Sequence, residues 1–523
     1  MHTGWLLGII IAYFSLLLGI AFYTSRNSNN ESFFIGNRSS KWWLVAFGMI
    51  GTSLSGVTFV SVPGTVQANG LGYFQVVIGY FLGYFVVAFV LLPLYYRLQL
   101  TSIYSYLGSR FGMHAYKTGA VFFILSRTLG ATARLYLVIN VLQIFILDAL
   151  GVPFALTTLI ILVMILLYTF KGGVKTIVWT DTLQTTFMLL GLVVCILVVM
   201  SLQNYSLGNT IHAMDGLGYT KMFNTDPASP GYFLKQIIGG AAITVAMTGL
   251  DQEMMQKNIS VRTLKDSQKN MIVFSVILIV VNALFLLLGG LLYLYAGSNG
   301  LSVKGDDLFP TIALQHLSPA VSLIFIIGLI SALFPSADGA ITALTSSFCI
   351  DILGFRRVIA GQENTASQKN LEEKQAKTRL RVHFSFSLVF LLCILVFKWI
   401  DNKSIIDVIL KVAGFTYGPL LGLFAFGMLT RRNVPGLKII LICIASPLLM
   451  LALDALNNTV WYARLFTQDA AELDALKAFS ANIFGNYKIG IELLVLNAAL
   501  VYLGLLAFSS NKTAPQPVVA IPE

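Results

Sequence analysis

A single carboxylate in the middle of an apolar run sets the chemical problem. Residues 327–353 read Ile-Gly-Leu-Ile-Ser-Ala-Leu-Phe-Pro-Ser-Ala-Asp-Gly-Ala-Ile-Thr-Ala-Leu-Thr-Ser-Ser-Phe-Cys-Ile-Asp-Ile-Leu. About 20 such residues cross a bilayer. Yet Pro335, Ser336 and Asp338 sit at the centre, with Thr342, Thr345, Ser346 and Ser347 beyond. An ionised carboxylate at mid-membrane costs roughly 2.5–3.5 kcal/mol, so Asp338 needs a partner, a cation or a wet cavity. On a helix, Ala332, Ser336 and Gly339 share one face, and Pro335, Asp338, Thr342 and Thr345 an adjoining one. Hydroxyls and a carboxylate are the oxygen ligands that a hard cation takes. Small and hydroxylated residues also let membrane helices pack closely, which accounts for the serines and threonines but not for Asp338.

Other apolar runs carry further polar groups. Asp181 lies about two helical turns inside the run that follows Lys171, where it either serves a site or pairs with Lys171 or Lys175 near the interface. Arg127 and Arg134 are seven residues apart, on one face of the run 118–147. Lys411 lies within 404–429, ahead of Gly414, Gly418-Pro419 and Gly422. The run 42–66 is interrupted by Gly51-Thr-Ser-Leu-Ser-Gly56 and Pro63-Gly64. Glycine destabilises a helix interior by about 1 kcal/mol and proline by about 3. The segment reads either as unwound, with carbonyls freed for a cation or solute, or as a kinked packing helix.

Composition names the elements that must hold these groups. Hydrophobic residues make up 57% of the 523 residues and charged ones 11%. Mean hydropathy is +0.80. Those values exclude an ordinary soluble domain and predict an all-α membrane protein. The formal net charge of +11 is spread over short loops, which fits membrane topology and not a nucleic-acid face. Cys195, Cys349, Cys393 and Cys443 all lie in apolar runs, so neither a disulfide framework nor a thiolate metal site is expected. The five histidines are scattered without nucleophile or metal-ligand spacing, against an enzyme.

About thirteen transmembrane helices are expected, near 4–24, 42–66, 71–96, 118–147, 152–170, 173–200, 232–252, 270–296, 319–350, 382–400, 404–429, 434–455 and 488–508. Alternate connections carry about 23 Lys and Arg, from Arg26 through Lys257 to Lys512, against about 8 in the other set. This asymmetry places the N-terminus outside and the C-terminus in the cytoplasm of a cell membrane. The basic connection Gly354 to Val382 is expected to be polar and mobile, and the outer connections 201–231 and 456–487 to carry short surface helices. Residues 1–509 form one polytopic domain, and 510–523 a disordered cytoplasmic tail.

The motifs resemble the sodium/solute symporter family, whose members carry sugars, proline, sialic acid, iodide and monocarboxylates. The resemblance rests on five groups of residues. Trp42-Trp43 leads into the broken Thr-Ser-Leu-Ser segment, and Tyr168-Thr-x-x-Gly172-Gly173 precedes Thr180-Asp181-x-x-Gln184. The others are Gly249-x-Asp251-Gln252-x-x-x-Gln256, Ala332-x-x-x-Ser336-Ala-Asp338 ending at Asp351, and Gly418-Pro419-x-x-Gly422. The resemblance implies a leucine-transporter-type fold of two inverted five-helix repeats, here about 42–200 and 232–429, with extra spans at 434–455 and 488–508.

It also implies a sodium site at Gly51, Leu54, Ala332, Pro335 and Ser336, although Pro335 stands where the family supplies a hydroxyl. A second sodium site would use Asp181, Ser336 and Asp338, with one carboxylate protonated or paired with a cation. Substrate positions would be Ser55, Thr58, Tyr73, Val77, Thr244, Met247 and Lys411, with Arg134 added if it faces the cavity. The buried Lys411 ammonium calls for an anion, either a substrate carboxylate or Asp338. The expected activity is sodium-coupled import of a small organic solute, an organic acid or acidic sugar being favoured, with no obligate protein partner. Proton coupling through Asp181 and Asp338, a neutral sugar or amino-acid carrier, and an uncoupled uniporter or channel of the same fold remain open.

Overall fold

The computed structural model describes residues 3–25, 40–100, 102–169, 173–355, 366–400, 405–463, 467 and 469–510. Its helices in chain order are α1 (Thr3–Ser25), α2 (Trp42–Ser53), α3 (Gly56–Gly64), α4 (Tyr73–Arg97), α5 (Met113–Leu150) and α6 (Phe154–Thr169). There follow α7 (Gly173–Leu202), α8 (Phe233–Gly249), α9 (Gln252–Ile259), α10 (Leu264–Ser298), α11 (Pro319–Ser347) and α12 (Ala366–Ile400). The last are α13 (Ile405–Thr416), α14 (Gly418–Leu429), α15 (Gly436–Asn457) and α16 (Leu493–Ala507). Helix is forced wherever the chain is in lipid, because the hydrocarbon offers backbone groups no other partner. The described residues contain no β-strand, only three isolated bridges.

Among them, seven helices are long and apolar enough to cross a membrane; three bent pairs and three shorter apolar helices complete the set. These segments fall on the thirteen stretches expected from sequence. Surface helices Leu207–Gly216 and Ala470–Phe484 occupy the two long connections expected to carry them. Two expectations are corrected. The connection from Gly354 to Val382 is helical from Ala366 onward, because its run of Gln, Lys, Leu, Glu, Ala and Arg favours helix. The span expected to end at 252 instead breaks at Leu250–Asp251 and continues as α9. Residues 511–523, Arg26, Arg38, Lys171 and 356–365 lie outside the described residues.

The chain folds into two compact units, each assembled from three separated stretches. One comprises Met1–Phe74, Arg127–Met222 and Gln252–Ile409. There α7 packs along both α11 and α2, and α10 covers α2 and α3. Every residue from Gly328 to Ser347 is buried. Close helix approach demands small residues: a Cβ on Gly191 of α7 would stand 3.4 Å from the Gly328 Cα of α11. The Tyr13 hydroxyl of α1 pairs with that of Ser331 at 2.7 Å.

The second unit comprises Gln75–Ser126, Phe223–Asp251 and Leu410–Glu523. Here α16 packs against α14, α15 and α8. Pro419 has no N–H to give the Phe415 carbonyl, so the chain bends by 44° between α13 and α14. Asn497 on α16 supplies the missing donor, its amide reaching the Gly414 and Phe415 carbonyls at 2.9 Å each. At the Leu250–Asp251 break, Tyr95 donates to the Gly249 carbonyl (2.8 Å), Tyr104 to the Leu250 carbonyl (2.9 Å) and Tyr417 to Asp251 (3.0 Å).

Candidate functional site

The sequence Gly51-Thr-Ser-Leu-Ser-Gly56 breaks the helix where expected, and α2 and α3 meet at 54°. Leu54 turns to φ −87°, ψ 80°, and Ser55 is extended. The Leu54 N–H still reaches the Ile50 carbonyl, and the Phe59 N–H reaches that of Ser55. Among the described residues, no backbone N–H donates to the carbonyls of Gly51 through Leu54. Buried carbonyls without donors are a standing demand for a ligand.

Two neighbours face this break. A Cβ on Gly51 would stand 3.6 Å from Cγ of Pro335 on α11 and would clash with the Thr185 hydroxyl of α7. Thr185 Oγ1 is buried without a hydrogen-bond partner. At the next residue of α11, the Ser336 hydroxyl donates to the Leu333 carbonyl at 2.9 Å, leaving its oxygen lone pairs free to accept. The positions inferred for sodium therefore include two freed carbonyls and a hydroxyl oxygen. At Pro335 they include a ring with no oxygen, as the sequence requires.

Asp338 lies fully buried on α11. It accepts from the Tyr168 hydroxyl at 2.8 Å and from the backbone N–H of Gly339. Asp181 is equally buried, and among the described residues the cation paired with it is Lys257. Lys257 on α9 reaches Asp181 Oδ2 at 2.7 Å and Thr52 Oγ1 at 2.6 Å. Thr52 in turn donates to the same carboxylate oxygen at 3.2 Å. The Lys257 side chain is 3% exposed, which corrects its assignment to a cytoplasmic loop. The break before α9 turns this short polar helix inward. Glu253, one turn earlier, lies 3.4 Å from Lys257 and forms an ion pair with Arg127. Its carboxylate packs against Gly339, where a Cβ would clash. Arg127 thus pairs with an acid and does not reach for water.

Lys411 is also corrected. Its ammonium pairs with Asp454 on α15 at 2.8 Å and sits over the rings of Trp461 and Tyr462, 4.3 and 5.0 Å from their centres. Neither a substrate carboxylate nor Asp338 is needed to neutralise it. Asp454 is 1% exposed and also accepts from the amide of Asn458 at 2.7 Å and from the Tyr462 hydroxyl. The remaining substrate positions divide between the units. Ser55 and Thr58 are buried on the break and on α3. Tyr73 and Arg134 are partly exposed on the same unit. Buried Thr244 and half-buried Met247 belong to the other unit, with Lys411.

Sequence reading missed Thr52, Thr185, Glu253 and Lys257. A signal for the last two was present: opposite charges four apart, directly after an apolar run. Thr185 follows Asp181 by four, on the same helix face.

Comparison with known proteins identifies the fold and the family. The rabbit sodium-dependent multivitamin transporter is 27% identical over 409 residues, 75% of this chain and 60% of its own. The chain thus matches only about three fifths of that relative's length. The sodium/sialic acid symporter of Proteus mirabilis (strain HI4320) is 21% identical over 81% of this chain and 84% of its own. A solved sodium-coupled sialic acid symporter, in a substrate-bound outward-open state, superposes with a TM-score of 0.77 at 18% identity. That superposition covers 96% of this chain and 97% of the other, and shows a shared leucine-transporter-type fold. The profile of the sodium:solute symporter family matches residues 33–436, and the chain belongs to that family.

Proposed function

We propose that the protein is a sodium-coupled symporter that imports a small organic acid. The observation that carries the coupling is the set of donor-free carbonyls at Gly51 and Leu54, with Gly51 facing Pro335 in the buried stretch Gly328–Ser347 of α11. Sodium bound there, by those two carbonyls, the Ala332 carbonyl and the Ser336 hydroxyl, links α2 and α11. It favours whichever state brings those two helices together, and it acts only through that difference in affinity. One charge moving across 100 mV supplies about 2.3 kcal/mol, to which the sodium gradient adds.

Support for an acidic solute comes from the relatives, two of which are sodium/sialic acid symporters, sialic acid being a sugar with a carboxyl group. The Lys411 ammonium no longer supports that class, since Asp454 neutralises it. Ser55, Thr58, Tyr73, Thr244, Met247 and Arg134 remain the proposed contacts. The proposed orientation keeps the N-terminus outside and the C-terminus in the cytoplasm.

Uptake into proteoliposomes tests the coupling. Accumulation with an inward sodium gradient, lost when choline replaces sodium at fixed pH, is the expected result. Uptake indifferent to sodium overturns it. Sodium-dependent thermal stabilisation by carboxylates and acidic sugars tests the class; stabilisation by neutral sugars alone overturns the acid.

A further inference from the structure

Asp181 is the acid that resemblance gives to a second sodium ion, and in this chain a cation of its own is already there. Lys257 Nζ lies 2.6 Å from the Thr52 hydroxyl, 2.7 Å from Asp181 Oδ2 and 3.4 Å from Glu253 Oε1. Those oxygens come from α2, α7 and α9. An ammonium has three donors and no acceptor, and three oxygens at these distances use all of them. An all-oxygen set holding one carboxylate directly and another close by is also what a hard monovalent cation would take.

We propose that the Lys257 ammonium is a tethered substitute for a second sodium ion, so that this carrier binds and moves a single sodium per cycle. The inference rests on the sodium reading given above and restricts it to the site at Gly51, Leu54, Ala332 and Ser336.

Charge balance supports it. The buried cluster on this unit holds Arg127 and Lys257 against Asp181, Glu253 and Asp338. Counted as ionised groups, two cations against three carboxylates leave one negative charge, the charge of one mobile monovalent cation. Without Lys257 the deficit would be two. Position supports it as well. Thr52, which accepts from Lys257, follows Gly51 directly and precedes Leu54 by two, so the tethered charge sits beside the carbonyls proposed for sodium. A lysine on α9 cannot leave with the solute. It can hold α2 and α7 together throughout the cycle, which a transported ion cannot do.

The test counts bound sodium on the purified full-length protein in detergent, by scintillation proximity with radioactive sodium as the only probe. The wild type is expected to saturate at one sodium per chain with a Hill coefficient of one. Lys257→Gln should vacate the site and raise saturation to two, while Lys257→Arg, which keeps the charge, should stay at one. Asp181→Asn should also stay at one. A wild-type count of two, or a folded Lys257→Gln that still binds one, overturns the proposal. Should Lys257→Gln fail to elute as a monodisperse species, Asp181→Asn decides. Loss of binding in that variant would mean that Asp181 holds the transported sodium itself, and would overturn the proposal. A wild type that binds no sodium would instead overturn the sodium reading on which the proposal rests.

Discussion

Ser336 and Pro335 are adjacent on α11 and oppose each other chemically. In the proposed sodium site the hydroxyl of Ser336 is a ligand, whereas the ring of Pro335 presents carbon to Gly51. Removing one oxygen from a site with several weakens it without emptying it, at about 1 kcal/mol for one neutral ligand. Ser336→Ala is therefore expected to raise half-saturating sodium roughly five-fold in uptake assays. Pro335→Ser adds the oxygen the site lacks and should lower it by a similar factor. Lys411 makes a different case, because its partner is buried. Lys411→Met leaves Asp454 with only Tyr462 and Asn458, and breaking such a pair costs about 3 kcal/mol. The melting temperature in detergent should fall markedly, and a double-mutant cycle with Asp454→Asn should return a coupling of about 1 kcal/mol or more. Solute preference should not change.

At the scale of elements, short polar connections carry constraints that the spans do not. The turn Gly305–Asp307 lies between α10 and α11, and Asp306 accepts from the backbone N–H of Ile405 at the start of α13, at 3.3 Å. Burial pushes the Asp306 carboxyl up to about 6 from its ordinary 3.8. A raised carboxyl pKa means that the folded state binds the proton more tightly than the unfolded state. Its stabilising contribution is complete below about pH 4 and disappears as pH rises through about 6. With partial exposure discounted, the difference amounts to about 2 kcal/mol. Asp306→Asn is therefore expected to flatten the fall in melting temperature between pH 4.5 and 7.5, and to stabilise the protein at the upper end. An unchanged pH profile would show that Asp306 does not carry it.

For the whole molecule, the proposed orientation follows from loop charge alone and can be tested directly. A cysteine replacing Lys477 on the exposed surface helix Ala470–Phe484 should react with a membrane-impermeant maleimide in intact cells. One replacing Lys374, near the start of α12, should react only after permeabilisation. The native thiols Cys195, Cys349 and Cys443 are buried, and the half-buried Cys393, within the apolar stretch of α12, is replaced by Ser to remove background. Reversed accessibility would invert the topology and the direction of coupled transport.

The sequence by itself determined the membrane class, the thirteen helical stretches, the break at Gly51–Gly56 and the family. Each of these is written locally, in apolar run length, in residues that cannot continue a helix, or in short motifs. It could not say which buried charges meet. Asp181, Thr52 and Lys257 are separated by up to 205 residues and lie on three helices. Run length alone assigned Lys257 to a loop, and only the fold, by breaking the chain at Leu250–Asp251 and turning α9 inward, placed its ammonium against Asp181. Likewise Lys411 found Asp454, on a helix outside both expected repeats, because burying a charge makes it pair with whatever opposite charge the packing brings near. Sequence separation carries no information about that choice.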